Sequence, residues 1–143
     1  MNYHIGKDVS ILNNLIRRKV NMRTSSLSIT SKQSRIIGFI FMESQKRDIF
    51  QRDIEEEFNI RRSSVTSLLQ TMEKNDLIMR ESVNQDARLK KIILTPKAIK
   101  IHDQVIEILN EVEEEFHEAL SKEEYVQFKK IMDRLISTAK IVY

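Results

Sequence analysis

Ser63, Ser67, Gln70 and Lys74 recur at intervals of three and four residues, a spacing that gathers them on one face of a helix. Thr66 and Thr71 flank that face. Short hydroxyls allow close approach to another surface, a Gln amide can pair with adenine, and Lys can reach guanine or phosphate. Arg61, Arg62, Ser63 and Ser64 open the same segment, where free N–H groups and the helix dipole favour phosphate. Val65, Leu68, Leu69 and Met72 form the opposite, apolar face. The polar face is nearly free of carboxylates, although Glu-rich helices occur elsewhere in the chain. The chemistry expected is that of a helix lying in the major groove of DNA, with Gln70 and Ser67 on base edges and Arg62 and Lys74 on base or phosphate.

A second polar cluster follows at once. Asp86 and Arg88 stand two apart in an Asn-Gln-Asp-Ala-Arg stretch, and Lys90 and Lys91 come next. Other chemistries find little support. The chain has no cysteine, so thiol catalysis, disulfides and thiolate metal sites are excluded. His4, His102 and His117 share no i, i+4 spacing, so no metal site is expected. No Ser/His/Asp arrangement has motif context, and no cofactor and no enzyme are expected. The cluster Glu111, Glu113, Glu114, Glu115 and Glu118 reads as the solvated face of a helix.

These residues need elements to hold them. Gly 2 and Pro 1 argue against an all-β sandwich or barrel and against a Gly-rich phosphate loop. Val9, Leu12, Ile16 and Val20 trace a first helix over about 7–23. Thr30 and Gln33 form a capping box opening a second, to about Ser44, whose Ile36, Ile37, Phe39, Ile40, Phe41 and Met42 mark it as central to the core. Third and fourth helices are expected over about Gln51 to Phe58 and Arg62 to Lys74. A β-hairpin joins Ile78–Val83 to Lys90–Leu94 around the polar tip. Thr95-Pro96 starts a fifth helix to about Leu120, and Ser121 with Glu124 caps a sixth, striped by Tyr125, Phe128, Met132, Leu135 and Ala139.

Charge is uneven. Residues 1–100 carry 19 Lys and Arg against 11 Asp and Glu, while residues 101–143 carry 5 against 10. A basic body with an acidic C-terminal end suits a polyanionic partner for the first part. The longest apolar run, Ile36 to Met42, is too short to span a bilayer, and the first ten residues lack the apolar core of a signal peptide. A soluble, cytoplasmic protein without a membrane partner is expected.

Helix, turn, helix, hairpin is the winged helix-turn-helix plan. From Gln51 to Ala98 the chain resembles the MarR (multiple-antibiotic-resistance regulator) family of winged-helix transcription factors. The resemblance is carried by the recognition-helix run Ile60 to Glu73, by Leu77-Ile-Met-Arg80, by Asp86-Ala-Arg88 and by Leu94-Thr-Pro-Lys-Ala98. Three positions depart from the family pattern. Arg61 stands where a capping Ser is usual, Asp76 where Gly is common after the recognition helix, and Ala98 in place of the Gly of the restart. The fold expected is mainly α, with a winged helix-turn-helix domain at 30–98, an N-terminal dimerisation helix and loop at 1–29, and C-terminal dimerisation helices at 99–143.

The first, fifth and sixth helices have apolar faces that their own domain leaves uncovered. Leu12, Ile16, Val20, Tyr125, Phe128, Met132, Leu135 and Ala139 are the expected interface of a homodimer. Such a dimer presents two recognition helices to a pseudo-palindromic operator on double-stranded DNA, with half-sites about one turn, ~10 bp, apart. The resemblance further implies a repressor released by a small aromatic or phenolic effector. It also implies that Arg88 enters the minor groove with its guanidinium held by Asp86, while Lys90 and Lys91 add phosphate contacts. The rival from another class is a winged-helix module for protein contacts, without an operator.

Overall fold

The computed structural model describes residues 4–84 and 86–140. Gln85, inside the expected wing tip, lies outside the described residues. The order is α1 (Ile5–Thr24), a 3-10 turn (Ser25–Leu27), α2 (Ser31–Glu43), α3 (Gln51–Phe58), α4 (Arg62–Lys74), β1 (Ile78–Val83), β2 (Asp86–Leu94), α5 (Pro96–Ala119) and α6 (Lys122–Ala139). This is a mainly helical winged helix-turn-helix fold with a two-stranded antiparallel wing.

Local chemistry sets most of these boundaries. The Thr30 hydroxyl accepts from the Gln33 N–H while the Gln33 side chain accepts from the Thr30 N–H, closing the expected capping box. Ser121 and Glu124 close another at the start of α6. At α3 the cap residue is Phe50, which has no acceptor, so Asp53 works from inside the helix. Its carboxylate accepts from the Phe50 N–H at 2.8 Å and from the Arg47 guanidinium at 2.7 Å. Partial burial pushes the Asp53 carboxyl up, but the Phe50 N–H and then Arg47 more than reverse this and hold it below its ordinary 3.8. A lowered carboxyl stabilises the fold above its unfolded value and loses that contribution as pH falls through the folded one. Asp53→Ala is therefore expected to cost about 1 kcal/mol near neutral pH and to flatten the acid limb of the stability curve, as read by thermal melts across acid pH.

The core sits where α2, α3, α4, the wing and the start of α5 meet. Ile36, Ile37 and Ile40 of α2 are buried, as are Ile54 of α3 and Val65, Leu69 and Met72 of α4. The expected central place of α2 is thus borne out, and the apolar face of α4 points inward. Phe39 and Phe58 meet edge to face at 5.8 Å, joining α2 to α3.

After α4 the chain reverses on Asp76, whose φ of 59° is left-handed. The Leu77 N–H donates to the Met72 carbonyl and the Asp76 N–H to the Glu73 carbonyl, a Schellman closure of the kind that prefers Gly. Asp76→Gly is expected to raise stability by up to about 1 kcal/mol, visible as a higher Tm with unchanged helicity. Thr95 ties the far side of this turn. Its hydroxyl donates to the Asp76 carbonyl at 2.6 Å and accepts from the Ala98 N–H, so the start of α5 is fastened to the end of α4.

The wing departs from its expected outline. Strand β2 begins at Asp86 rather than near Lys90, yet the ladder is irregular there: Ser82 pairs Lys90 and the next pair is Val83 with Asp86. Residues 87–89 are thus extra on the β2 side, a bulge that bends the strand and re-aims its side chains. Nearer the core the register is regular, from Ile78 opposite Leu94 to Arg80 opposite Ile92, and the Ile92 N–H donates to the Ile49 carbonyl, joining the hairpin to the segment before α3.

Helix α1 packs on α5, and neither α1 nor α6 contains a buried residue. Lys19 and Arg23 of α1 pair with Glu115, and Arg23 lies 3.6 Å from Glu111. The glutamate cluster was expected as a purely solvated face. Two of its carboxylates instead fasten one helix to another, because α1 brings cations alongside them.

Candidate nucleic-acid interface

Helix α3 and the tight turn through Asn59, left-handed at φ 49°, set the entry of α4. Arg61, Arg62, Ser63 and Ser64 are all exposed, and the first turn of α4 has no side-chain cap, so its N–H groups point outward unpaired by Arg61. Ser67, Gln70 and Lys74 are exposed along the same helix. Thr66 differs from the rest. It is half-buried, its hydroxyl donates to the Arg62 carbonyl at 2.9 Å, and it accepts from the Gln51 amide at 2.8 Å. With both bonds made internally, Thr66 fixes α4 against α3. Gln51 is its partner in this role, and it also donates to Glu55 at 3.0 Å.

The wing residues separate into two groups. Arg88 and Lys90 join Arg62 around a cleft of about 460 Å³, together with Arg52 and Arg80. Phe50, Gln51, Glu55 and Leu89 complete its walls. Lys91 faces the other way, 3.6 Å from Asp48, since successive strand residues point to opposite sides. Asp86 is exposed and its carboxylate accepts from the Arg88 backbone N–H at 2.9 Å. Among the described residues no ion pair joins it to the Arg88 guanidinium, which corrects the expected salt bridge. The reason is local: an aspartate bonds most easily to the amide two residues ahead, in an Asx turn.

Sequence reasoning missed Arg80, Arg52 and Gln51. Arg80 lies on β1 with its side chain 24% exposed and Glu73 3.5 Å from Nε. Arg52 pairs with Glu56 one turn along α3. Alternation along β1 could have put Arg80 on the side opposite Met79, but the cleft it lines is built from α3, α4 and both strands.

On the arms, Leu12 and Ile16 of α1 come together with Phe116, His117, Leu120, Tyr125 and Phe128 in an apolar groove of about 340 Å³. Val20 lies elsewhere, in a second cavity with Ile29, Val105 and Leu109. Met132 and Leu135 are half-buried and Ala139 is exposed. Ile5, Ile11 and Leu15 of α1 and Val126, Ile131 and Ile136 of α6 are exposed large apolar residues beyond the expected stripes, and Val9 of the α1 stripe is exposed as well. The histidines stay apart: His102 stacks on Phe41 at 4.3 Å and His117 on Tyr125 at 4.5 Å. Among the described residues no helix is long and apolar enough to cross a membrane.

An exposed, carboxylate-poor helix beside a cationic wing is the arrangement of a winged helix-turn-helix fold with a candidate nucleic-acid interface. The MarR family model matches residues 27–89, from the end of the 3-10 turn through most of the wing. The whole chain is similar to MepR, a transcription regulator of the Staphylococcus aureus multidrug efflux pump MepA, at 25% identity, covering 96% of this chain and 100% of that one with a TM-score of 0.84. It is similar to the S. aureus MepR–DNA complex at 25% identity, 97% and 100% coverage and TM-score 0.78. MepR bound to ethidium bromide matches at 25% identity, 96% and 98% coverage and TM-score 0.70. The family match spans residues 27–89, and over that winged-helix part the comparisons agree with the resemblance that the motifs carry.

Proposed function

We propose that this chain is a homodimeric, sequence-specific DNA-binding repressor whose operator is a pseudo-palindrome and whose release is driven by a small molecule. The observation that carries the DNA-binding part is the convergence of Arg62, Arg88 and Lys90 on one cleft beside the exposed Ser67, Gln70 and Lys74 of α4. Phosphate contacts from the cleft would position the helix and base contacts from α4 would specify sequence. The likeness to the MepR–DNA complex supports the same reading. The uncovered apolar residues of α1 and α6 support a second copy, because a monomer rarely exposes so many large apolar side chains on adjoining helices.

The effector reading rests on the cavity of about 310 Å³ under α1, lined by Ile16, Val20, Ile29, Val105 and Leu109 with Arg17 and Arg35 at its walls. MepR has been captured with ethidium, a cation. Two arginines and no carboxylate favour a neutral or anionic aromatic instead, such as a phenolate. The experiment is a gel shift of the protein on its own upstream duplex against excess scrambled competitor. Binding that survives the competitor and is released by a phenolate such as salicylate, but not by ethidium at equal concentration, is the expected result. Binding lost equally to any competitor would leave a winged-helix module without an operator.

A further inference from the structure

One cationic group has no role in the interface so far described. Nε and Nη2 of Arg80 are shielded from solvent and have no hydrogen-bond partner, and no other buried side-chain nitrogen or oxygen among the described residues is left so. Glu73 Oε2 lies 3.5 Å from Nε, within ion-pair range but without hydrogen-bond alignment. Unpaired N–H groups on a shielded guanidinium are costly, and an anion with several acceptor oxygens would satisfy them.

The basic cleft is where such an anion fits. Arg52, Arg62, Arg80, Arg88 and Lys90 line it, and its one carboxylate, Glu55, already accepts from Gln51. The cations arrive from α3, from the first turn of α4 and from both strands. A tetrahedral phosphate offers oxygens in several directions and suits that arrangement better than a planar carboxylate, and guanidinium forks are matched to it.

We propose that this cleft seats one backbone phosphate of duplex DNA, with Arg80 as its anchoring residue. The inference rests on the DNA-binding reading and deepens it. A phosphate held here bridges α4 and the wing, so the depth of the helix in the groove and the direction of the wing are fixed together. Arg80 then sets affinity and docking orientation without choosing bases.

The test is fluorescence anisotropy of the full chain on its own upstream duplex and on a scrambled duplex, over a range of salt. Arg80→Gln is expected to weaken both about tenfold and to lower the salt slope by about 1. Arg80→Lys restores the charge without the fork and recovers part of the loss. Glu73→Gln separates this role from a packing role: it leaves the seat more cationic, so duplex binding is kept or tightened. Equal loss in Glu73→Gln and Arg80→Gln would mean a structural ion pair and overturn the proposal. So would an unchanged affinity and slope in Arg80→Gln, or a loss confined to the upstream duplex, which would make Arg80 a base reader. A Tm raised by inorganic phosphate in the wild type but not in Arg80→Gln, with duplex binding unaltered, would assign the seat to a free anion and equally overturn it. Failure of the wild type to bind either duplex is a different result: it overturns the DNA-binding reading itself, and the seat with it.

Discussion

Ile131→Asp is expected to give a folded monomer that has lost at least about a hundredfold of its affinity for duplex DNA. Ile131 lies on α6 and is 50% exposed within one chain, so the substitution takes little away from intrachain packing. Val126 and Ile136 of α6 and Ile5, Val9 and Leu15 of α1 are likewise exposed and apolar. If two copies bury these faces against each other, each Ile131 is worth about 1.5–3 kcal/mol, and two-fold symmetry counts it twice. A carboxylate in its place adds the cost of an unpaired buried charge. Losing the second copy removes one of two half-site contacts, which is why affinity falls so far. Light scattering checks the mass, circular dichroism the helicity, and anisotropy the binding. An unchanged dimer with unchanged binding would move the interface off this face; a wild type that is monomeric at the concentrations of the binding assay would remove it altogether.

Ile131 is exposed on α6 whereas Leu135 is half-buried, a difference that sequence patterning does not reach. A single stripe of period 3.6 picks out Tyr125, Phe128, Met132 and Leu135, and the structure brings the first two to α1 and α5 while half-burying the others. Helix α6 carries a second apolar set that one stripe does not contain, and only packing tells which set remains free. Elements with strong local signals were legible in full. Helices α3 and α4 begin and end at the expected residues, because the αL turn at Asn59 and the inward period of Val65, Leu69 and Met72 act within the segment itself. The wing was legible as a hairpin but not in its detail, since a bulge is a property of two strands in register. Arg80 was invisible for the same kind of reason. Its surroundings come from α3, α4 and β2, from Gln51 well before it in the chain to Lys90 beyond it. Lys91, by contrast, could have been separated from Lys90 by strand alternation alone.

Arg88→Ala is expected to weaken duplex binding by about tenfold or more and to reduce the salt slope by about 1, with almost no change in Tm. Arg88 is exposed, and no ion pair to it is formed among the described residues, so the fold does not depend on its guanidinium. What the fold does provide is aim. Residues 87–89 form the bulge between the Ser82–Lys90 and Val83–Asp86 pairs, and the Asp86 carboxylate holds the Arg88 N–H at 2.9 Å. A cation presented to the duplex from a fixed backbone loses less conformational freedom on binding than one on a free strand end. Asp86 therefore acts on Arg88 through the main chain, and this separates two substitutions. Asp86→Asn keeps an acceptor oxygen for the Arg88 amide while removing a negative charge near DNA, so binding should be equal to the wild type or tighter. Asp86→Ala removes the acceptor and frees the bulge, so binding should weaken even though simple charge counting predicts the reverse. A charge-orienting ion pair would make Asn as damaging as Ala, and a wing that is only a basic patch would make both variants bind more tightly at every salt concentration. Anisotropy on the three proteins across a salt series distinguishes these outcomes, and only weak Ala with preserved Asn is consistent with an Asx turn that aims the arginine.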